Sequence, residues 1–192
     1  MASKKIIEAL KCCFRLIKNP EAEWHVIFKE YTSTDNILKE HLFPIIAISG
    51  ILTFILKLHL YKWHYALCSG IFIIIAGWGG SYVTYKAARF FLQDKTLKHK
   101  EIASVLSIYT ESVYIIFYAV SSGLGNGLIS QVFFLINLYC IYLLYKGIYI
   151  IRKLDSNQKK NLFIITSLSV IFSPPLINTI LTVIFNIPVL NI

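Results

Sequence analysis

The chain predicts an all-α, polytopic membrane protein in which five transmembrane helices follow short amphipathic helices at the membrane interface. Three observations carry this. Apolar residues fill 56% of 192 positions and the mean hydropathy is +0.64, above an ordinary soluble domain. They gather into blocks of about 19 to 20 residues, enough at ~1.5 Å rise per residue to cross a hydrocarbon core of roughly 30 Å. The 19 lysines and arginines collect in alternate connections: seven before residue 41, five in 86–100 and five in 146–160, with only Lys57 and Lys62 elsewhere. That asymmetry predicts five spans, at 41–60, 66–85, 102–120, 128–147 and 162–185, with the N-terminus cytoplasmic and the C-terminus outside.

The spans and their connections leave no length for a separate soluble domain. The expected organisation is a cytoplasmic segment 1–40, a membrane domain 41–186 and a short external tail 187–192. The net charge of +9 accompanies no nucleic-acid-binding motif, and the basic residues flank apolar blocks, so membrane lipid is the expected partner and nucleic acid is not. Cys12, Cys13, Cys68 and Cys140 have neither metal-site nor disulfide-framework spacing and are expected as free thiols, with no metal and no cofactor. Residues 1–10 lack the apolar centre of a secretory signal, so no cleavage is expected.

Residues 3–18 place Ile6, Ile7, Leu10, Phe14 and Ile17 at helical spacing, with Lys4, Lys5, Glu8, Lys11, Arg15 and Lys18 on the other side. Such a helix can lie on an anionic membrane surface or pack on the protein's own loops. Cys12 and Cys13 are acylation candidates or simply small apolar residues. In the next stretch, NPEAEWHVIFKEY, Asn19 can cap, Pro20 suits the first helical position and Glu21 and Glu23 favour the positive helix end. Trp24, Ile27, Phe28 and Tyr31 follow at i, i+3, i+4 and i+7, and Trp24 suits the headgroup region. Residues 32–36 break this helix.

The first span carries Pro44 early and ends in an aromatic, basic cluster at residues 57–65. His59 and His64 are five apart, but no carboxylate or cysteine in that loop completes a metal site. The second span holds Gly70, Gly77, Gly79, Gly80 and Ser81. Ala76 with Gly80 and Gly77 with Ser81 have small-xxx-small spacing, which predicts close helix packing and a central position; an unwound substrate site beside Trp78 is the alternative. The third and fourth spans are joined by the uncharged turn SSGLGNG, a helix break with nothing to hold it in the cytoplasm. Tyr139, Tyr142, Tyr145 and Tyr149 form a stripe toward the end of the fourth span that packs or anchors at headgroups. Ser173, Pro174 and Pro175 predict a kink in the fifth span.

Glu111 is the sharpest polar signal, because an acid at mid-bilayer costs on the order of 2 to 3 kcal/mol and calls for partners. Counting inward, Glu111 and Asn137 fall at similar depth, which predicts a cluster of Glu111, Tyr109 or Tyr114, and Asn137, with Asn178 beside the proline pair as a fourth member. That cluster reads either as a proton or solute site or as a hydrogen-bonded staple between helices.

With this topology the sequence resembles the YIP-domain family, five-span membrane proteins. The resemblance is carried by NPEAEW before the first span, Pro44 at its start, WGGSYVTY in the second span, SVLSIYTESVYII in the third and YCIYLLYKGI closing the fourth. Tyr109 and Thr110 fit the Tyr-Ser-x-x-Pro pattern of many bacterial relatives, while Val113 stands where proline would. The short N-terminal region looks like the bacterial branch. Binding of Ypt and Rab GTPases, which the resemblance implies for eukaryotic members, is therefore not expected, whereas an inner-membrane location is.

Enzyme signatures are absent: there is no HExxH, Gly-x-Ser-x-Gly, P-loop or pair of intramembrane aspartates. The expected function is non-enzymatic, exercised through helix association and a basic cytoplasmic face that meets lipid, another membrane protein or a second copy of the chain. The alternative is a small transporter or channel lined by Glu111 and the glycine-rich second span. The topology is directly testable: a reporter fused after Ile192 should register outside the cell and one inserted at residue 157 inside. The opposite pattern would overturn the charge argument.

Overall fold

The computed structural model describes residues 2–30, 34–92, 97–125, 127–151 and 154–187. Met1, Tyr31, residues 32–33 of the break expected at 32–36, residues 93–96, Asn126, Arg152, Lys153 and the tail from 188 lie outside the described residues; the remainder of that break, 34–36, is helical. The protein is 89% helical, and among the described residues there are no strands and five helical segments long and apolar enough to span a membrane. It is an integral, multi-pass membrane protein.

Two helices precede the spans, α1 (Ala2–Lys18) and α2 (Pro20–Glu30). The first span starts in α3 (Thr34–Ile37), widens into a π turn over Leu38–Leu42 and continues as α4 (Phe43–Lys57). The π turn has a local cause: Pro44 cannot donate to the carbonyl one turn back and its ring crowds it, and the widened turn just before it relieves that contact. The second and third spans are α5 (Trp63–Phe91) and α6 (Leu97–Gly123). The fourth is broken into α7 (Leu128–Ile136) and α8 (Tyr139–Ile150), and the fifth is α9 (Ser156–Ile184).

Several boundaries move from their expected places: the first span begins before 41, α6 begins five residues before 102, and two shifts are longer than that of α6. α5 continues six residues beyond 85, and α9 begins six residues before 162. Asp155 explains the shift of α9. Its carboxylate accepts from the Gln158 backbone N–H at 2.6 Å while the Gln158 side chain accepts from the Asp155 N–H, a capping box that starts the helix inside what reads as a polar loop.

The central helix is α6 rather than the glycine-rich α5. In its most apolar stretch 78% of the residues are buried, against 50% for α5 and 28% for the fourth and fifth spans. Small and hydroxylated residues allow this: Ala103, Ser104, Ser107, Thr110, Ser112 and Ala119 are all buried, so neighbours can approach from every side. Ser107 and Ser112 donate to the carbonyls of Ala103 and Ile108, each at 2.7 Å, which satisfies their hydroxyls within the helix. Ser121 and Ser130 each donate to the other's carbonyl, at 3.0 and 2.7 Å, closing the hairpin between α6 and α7 beside the uncharged turn.

Trp24 is not at the headgroups. It is fully buried, and its indole N–H donates to the Leu143 carbonyl in α8 at 2.9 Å. A Cβ on Gly147 would come within 2.8 Å of the indole, so the glycine makes the seat. Around it Tyr139 donates to the Ile17 carbonyl at 2.8 Å and Lys146 pairs with Glu21 at 3.0 Å. NPEAEW and YCIYLLYKGI thus form one clamp that fixes α1 and α2 to the basic end of the bundle. A ring flanked by apolar residues fits a headgroup belt and a protein seat equally well in sequence; the hydrogen-bond acceptor 119 residues away decides it.

α9 runs uninterrupted through Pro174 and Pro175, where a kink was expected. Pro175 has no N–H to give the Ile171 carbonyl, and the Tyr114 hydroxyl of α6 donates to that same carbonyl at 2.9 Å. A neighbouring helix has replaced the lost intrahelical bond. Tyr114→Phe should therefore destabilise the protein by about 1–2 kcal/mol, and by clearly less in a Pro175→Ala background, where residue 175 regains its N–H. Equal losses of unfolding midpoint in detergent in both backgrounds would refute the replacement.

Candidate functional site

The most unusual group in the bundle is Glu111, on the enclosed face of α6. It is completely buried, and neither carboxyl oxygen has a hydrogen-bond partner. Its Oε1 lies against Gly80 of α5, occupying the place a Cβ would take, and that Cβ would also meet Pro174 Cγ of α9 at 2.6 Å. The carboxyl therefore sits where α5, α6 and α9 cross. A glycine at position 80 is a requirement of the crossing, not of backbone conformation.

The four helix-packing positions around it behave differently. Gly77 faces Ile46 of α4 and Ile115 of α6, with a Cβ distance of 3.1 Å to each. Gly70 meets the backbone of Gly50 in α4, where a Cβ would stand 2.7 Å from the carbonyl oxygen. Ala76 is fully buried, and Ser81 is buried with its hydroxyl unpartnered. Gly50 was not singled out in the sequence, where it forms no small-xxx-small pair within its own span.

The expected polar cluster is divided among three places. Tyr109 is part of an aromatic group near the basic end, with its ring 4.3 Å from His41 and edge-on to Trp24 at 6.3 Å. Tyr114 bonds the Ile171 carbonyl and stacks on Tyr118 at 5.9 Å; the Asn178 amide in turn donates to the Tyr118 hydroxyl at 3.0 Å. Asn137 lies at the break between α7 and α8, buried, with both side-chain polar atoms unpartnered. No hydrogen bond joins it to Glu111. The antiparallel register, set by Ser121 opposite Ser130 and by Gly147 against Leu106, brings Cys140 level with Glu111. Asn137 is offset by one turn, about 5 Å. Tyr118 escaped the sequence reading although it lies four residues beyond Tyr114, on the same helical face.

A second concave region opens at the basic end between α1, α2 and the π turn, a cleft of about 520 Å³. Its walls carry Cys12, Arg15, Glu23, His41 and Tyr109. Arg15 holds Glu23 with Nε at 2.9 and 3.0 Å from the two carboxylate oxygens. Cys13 Sγ lies 3.8 Å from His41 Nε2. Burial, and after it the Glu23 carboxylate, push the Cys12 thiol up to about 12, against the pull of Arg15. Burial pushes Cys13 up as well. A nucleophilic cysteine is favoured by the opposite shift. Among the described residues no group of three or more His, Cys, Asp or Glu side chains could hold a metal.

Fold and site together define a helical, five-span integral membrane protein with an acid enclosed at its central helix crossing. Comparisons with family models, with curated proteins and with solved structures find no match.

The crossing yields a double-mutant test. Gly80→Ala should lower stability by about 1–3 kcal/mol through overpacking. In a Glu111→Ala background the loss should shrink, with a coupling of at least ~0.5 kcal/mol, since only Pro174 then opposes the new methyl. Strictly additive unfolding free energies would mean that Glu111 does not occupy the space beside residue 80.

Proposed function

We propose that this protein acts without catalysing a reaction, by association of helices within the bilayer and by a basic cytoplasmic face that contacts anionic lipid. In this reading it is a bacterial inner-membrane protein of the YIP-domain type, N-terminus inside, with a second copy or another membrane protein as partner for its lipid-facing helices. The clamp between NPEAEW and YCIYLLYKGI supports the resemblance, since two of the stretches that carry it pack on one another.

The observation that carries the lipid reading is the division of α1 into faces. Ala9, Cys13 and Leu16 are buried on the bundle, while Ile7, Leu10 and Phe14 stay exposed, Phe14 by 67%. Lys4, Lys11 and Lys18 recur every seven residues along one edge of that exposed stripe. One face of α1 packs on the protein, and the next presents apolar side chains bordered by lysines, a pattern that supports use as an interfacial helix. Phe14→Trp should add fluorescence that brominated phosphatidylglycerol quenches in nanodiscs, and quenches more than brominated phosphatidylcholine. No quenching by either lipid would remove the reading.

A transporter is the second reading, favoured by the unpartnered carboxyl of Glu111. Against it, Glu111 lines none of the cavities described for the bundle. Proteoliposomes should show no proton or solute flux above protein-free vesicles. Flux that disappears in Glu111→Ala would put transport first.

A further inference from the structure

The π turn opens a groove on the outside of the bundle. Two neighbouring cavities of about 210 and 350 Å³ share Leu38 and Trp78 as walls, between the start of the first span and α5. Together they fall within the ~300–1,000 Å³ typical of small-molecule sites. Leu42, Tyr82, Tyr85 and Ile108 complete a lining that is mostly carbon. Among them is the Ser81 hydroxyl, whose residue is only 5% exposed and which has no hydrogen-bond partner.

The rim at the basic end is cationic. Lys39 lines the second cavity and is exposed. Lys86 Nζ stands 5.3 Å above the Tyr82 ring, and Arg89 donates to the Tyr85 hydroxyl at 3.4 Å, so each cation is held by a tyrosine that walls the first cavity. From Lys86 to Trp78 the groove descends about 12 Å along α5, and Ser81 lies about 7.5 Å below Lys86. It therefore has a charged mouth at the membrane surface, a hydroxyl just beneath it and an apolar floor that opens to the hydrocarbon.

We propose that this groove binds one diacyl phospholipid with an anionic headgroup. The phosphate sits among Lys39, Lys86 and Arg89, the Ser81 hydroxyl donates to an ester carbonyl of the glycerol backbone, and the upper part of an acyl chain lies along Leu38, Leu42 and Trp78. Charge complementarity selects a lipid over a helix of a partner protein, because three cations at the mouth of a depression about 12 Å long match a headgroup above a flexible chain, whereas a spanning helix needs a face of about 30 Å. The π turn is then a built feature of the site, as such turns often are. This inference rests on the reading that the basic end meets anionic lipid, and the two fail separately: quenching at Phe14 reports α1 alone, and the groove variants leave α1 intact.

The test is native mass spectrometry of the full chain in detergent, titrated with phosphatidylglycerol and phosphatidylcholine of identical acyl chains. Wild type should retain one phosphatidylglycerol at about tenfold lower concentration than phosphatidylcholine. The exposed double variant Lys39→Glu/Lys86→Glu should abolish that preference, and Ser81→Leu, which fills the groove, should weaken retention of both lipids by about tenfold. Equal retention of the two lipids by wild type, or unchanged retention in either variant, overturns the proposal. Should Ser81→Leu fail to fold, the surface double variant decides it alone.

Discussion

The distance between α5 and its neighbours is the constraint from which the rest of the bundle follows. In a bilayer, lipid tails are as apolar as leucine, so helices gain little by hiding apolar surface from one another and must hold together by close packing and by bonds across the interface. Gly77 and Gly80 bring α5 against α6 and α9, and Gly70 brings it against Gly50 of α4. Once α5 is that close, the Tyr114 hydroxyl lies within reach of the Ile171 carbonyl, which allows a proline pair to sit inside a spanning helix that remains unbroken.

The same contacts make α6 the axis of the protein although α5 carries the glycines. Glycines create proximity, but enclosure needs a helix that presents small residues around its whole circumference. α6 does so, with hydroxyls that satisfy themselves on their own backbone at Ser107 and Ser112. Hydrophobicity alone would have ranked the spans in another order: the fourth is the most apolar, with a hydropathy of 1.8, and is among the least buried. Its exposed leucines and isoleucines face the hydrocarbon, where they belong.

What the sequence makes legible follows from this physics. Five spans are visible because hydropathy and charge are local properties, and α1 and α2 are visible because amphipathic periodicity is local too. The place of Trp24 was hidden, since a tryptophan at a membrane surface and one seated on Leu143 share the same neighbours in sequence. The polar cluster failed for a related reason. Counting residues inward places Glu111 and Asn137 at one depth only if both helices start level and run straight, and the register through Ser121 and Ser130 shifts them by a turn. Glu111 itself was found because a lone acid among apolar residues is conspicuous in any register, and Gly80 because small residues four apart are conspicuous too. That the two meet was beyond reach, being a property of three helices.

Glu111 is the acid among the buried polar groups that find no hydrogen-bond partner. A serine or threonine in a spanning helix can return its hydroxyl to the carbonyl four residues earlier, as Thr166 does to Leu162 and Ser173 to Ser169. A carboxyl has no such option when its side chain is directed out of the helix into a crossing, as here beside Gly80 and with neither oxygen hydrogen-bonded. A glutamine, a methionine or a leucine would fill the same space, and the last two would do so with no polar atom to satisfy. Packing therefore accounts for the glycine opposite Glu111 but not for the acid. The helix that bears Glu111 is the one that every other span touches.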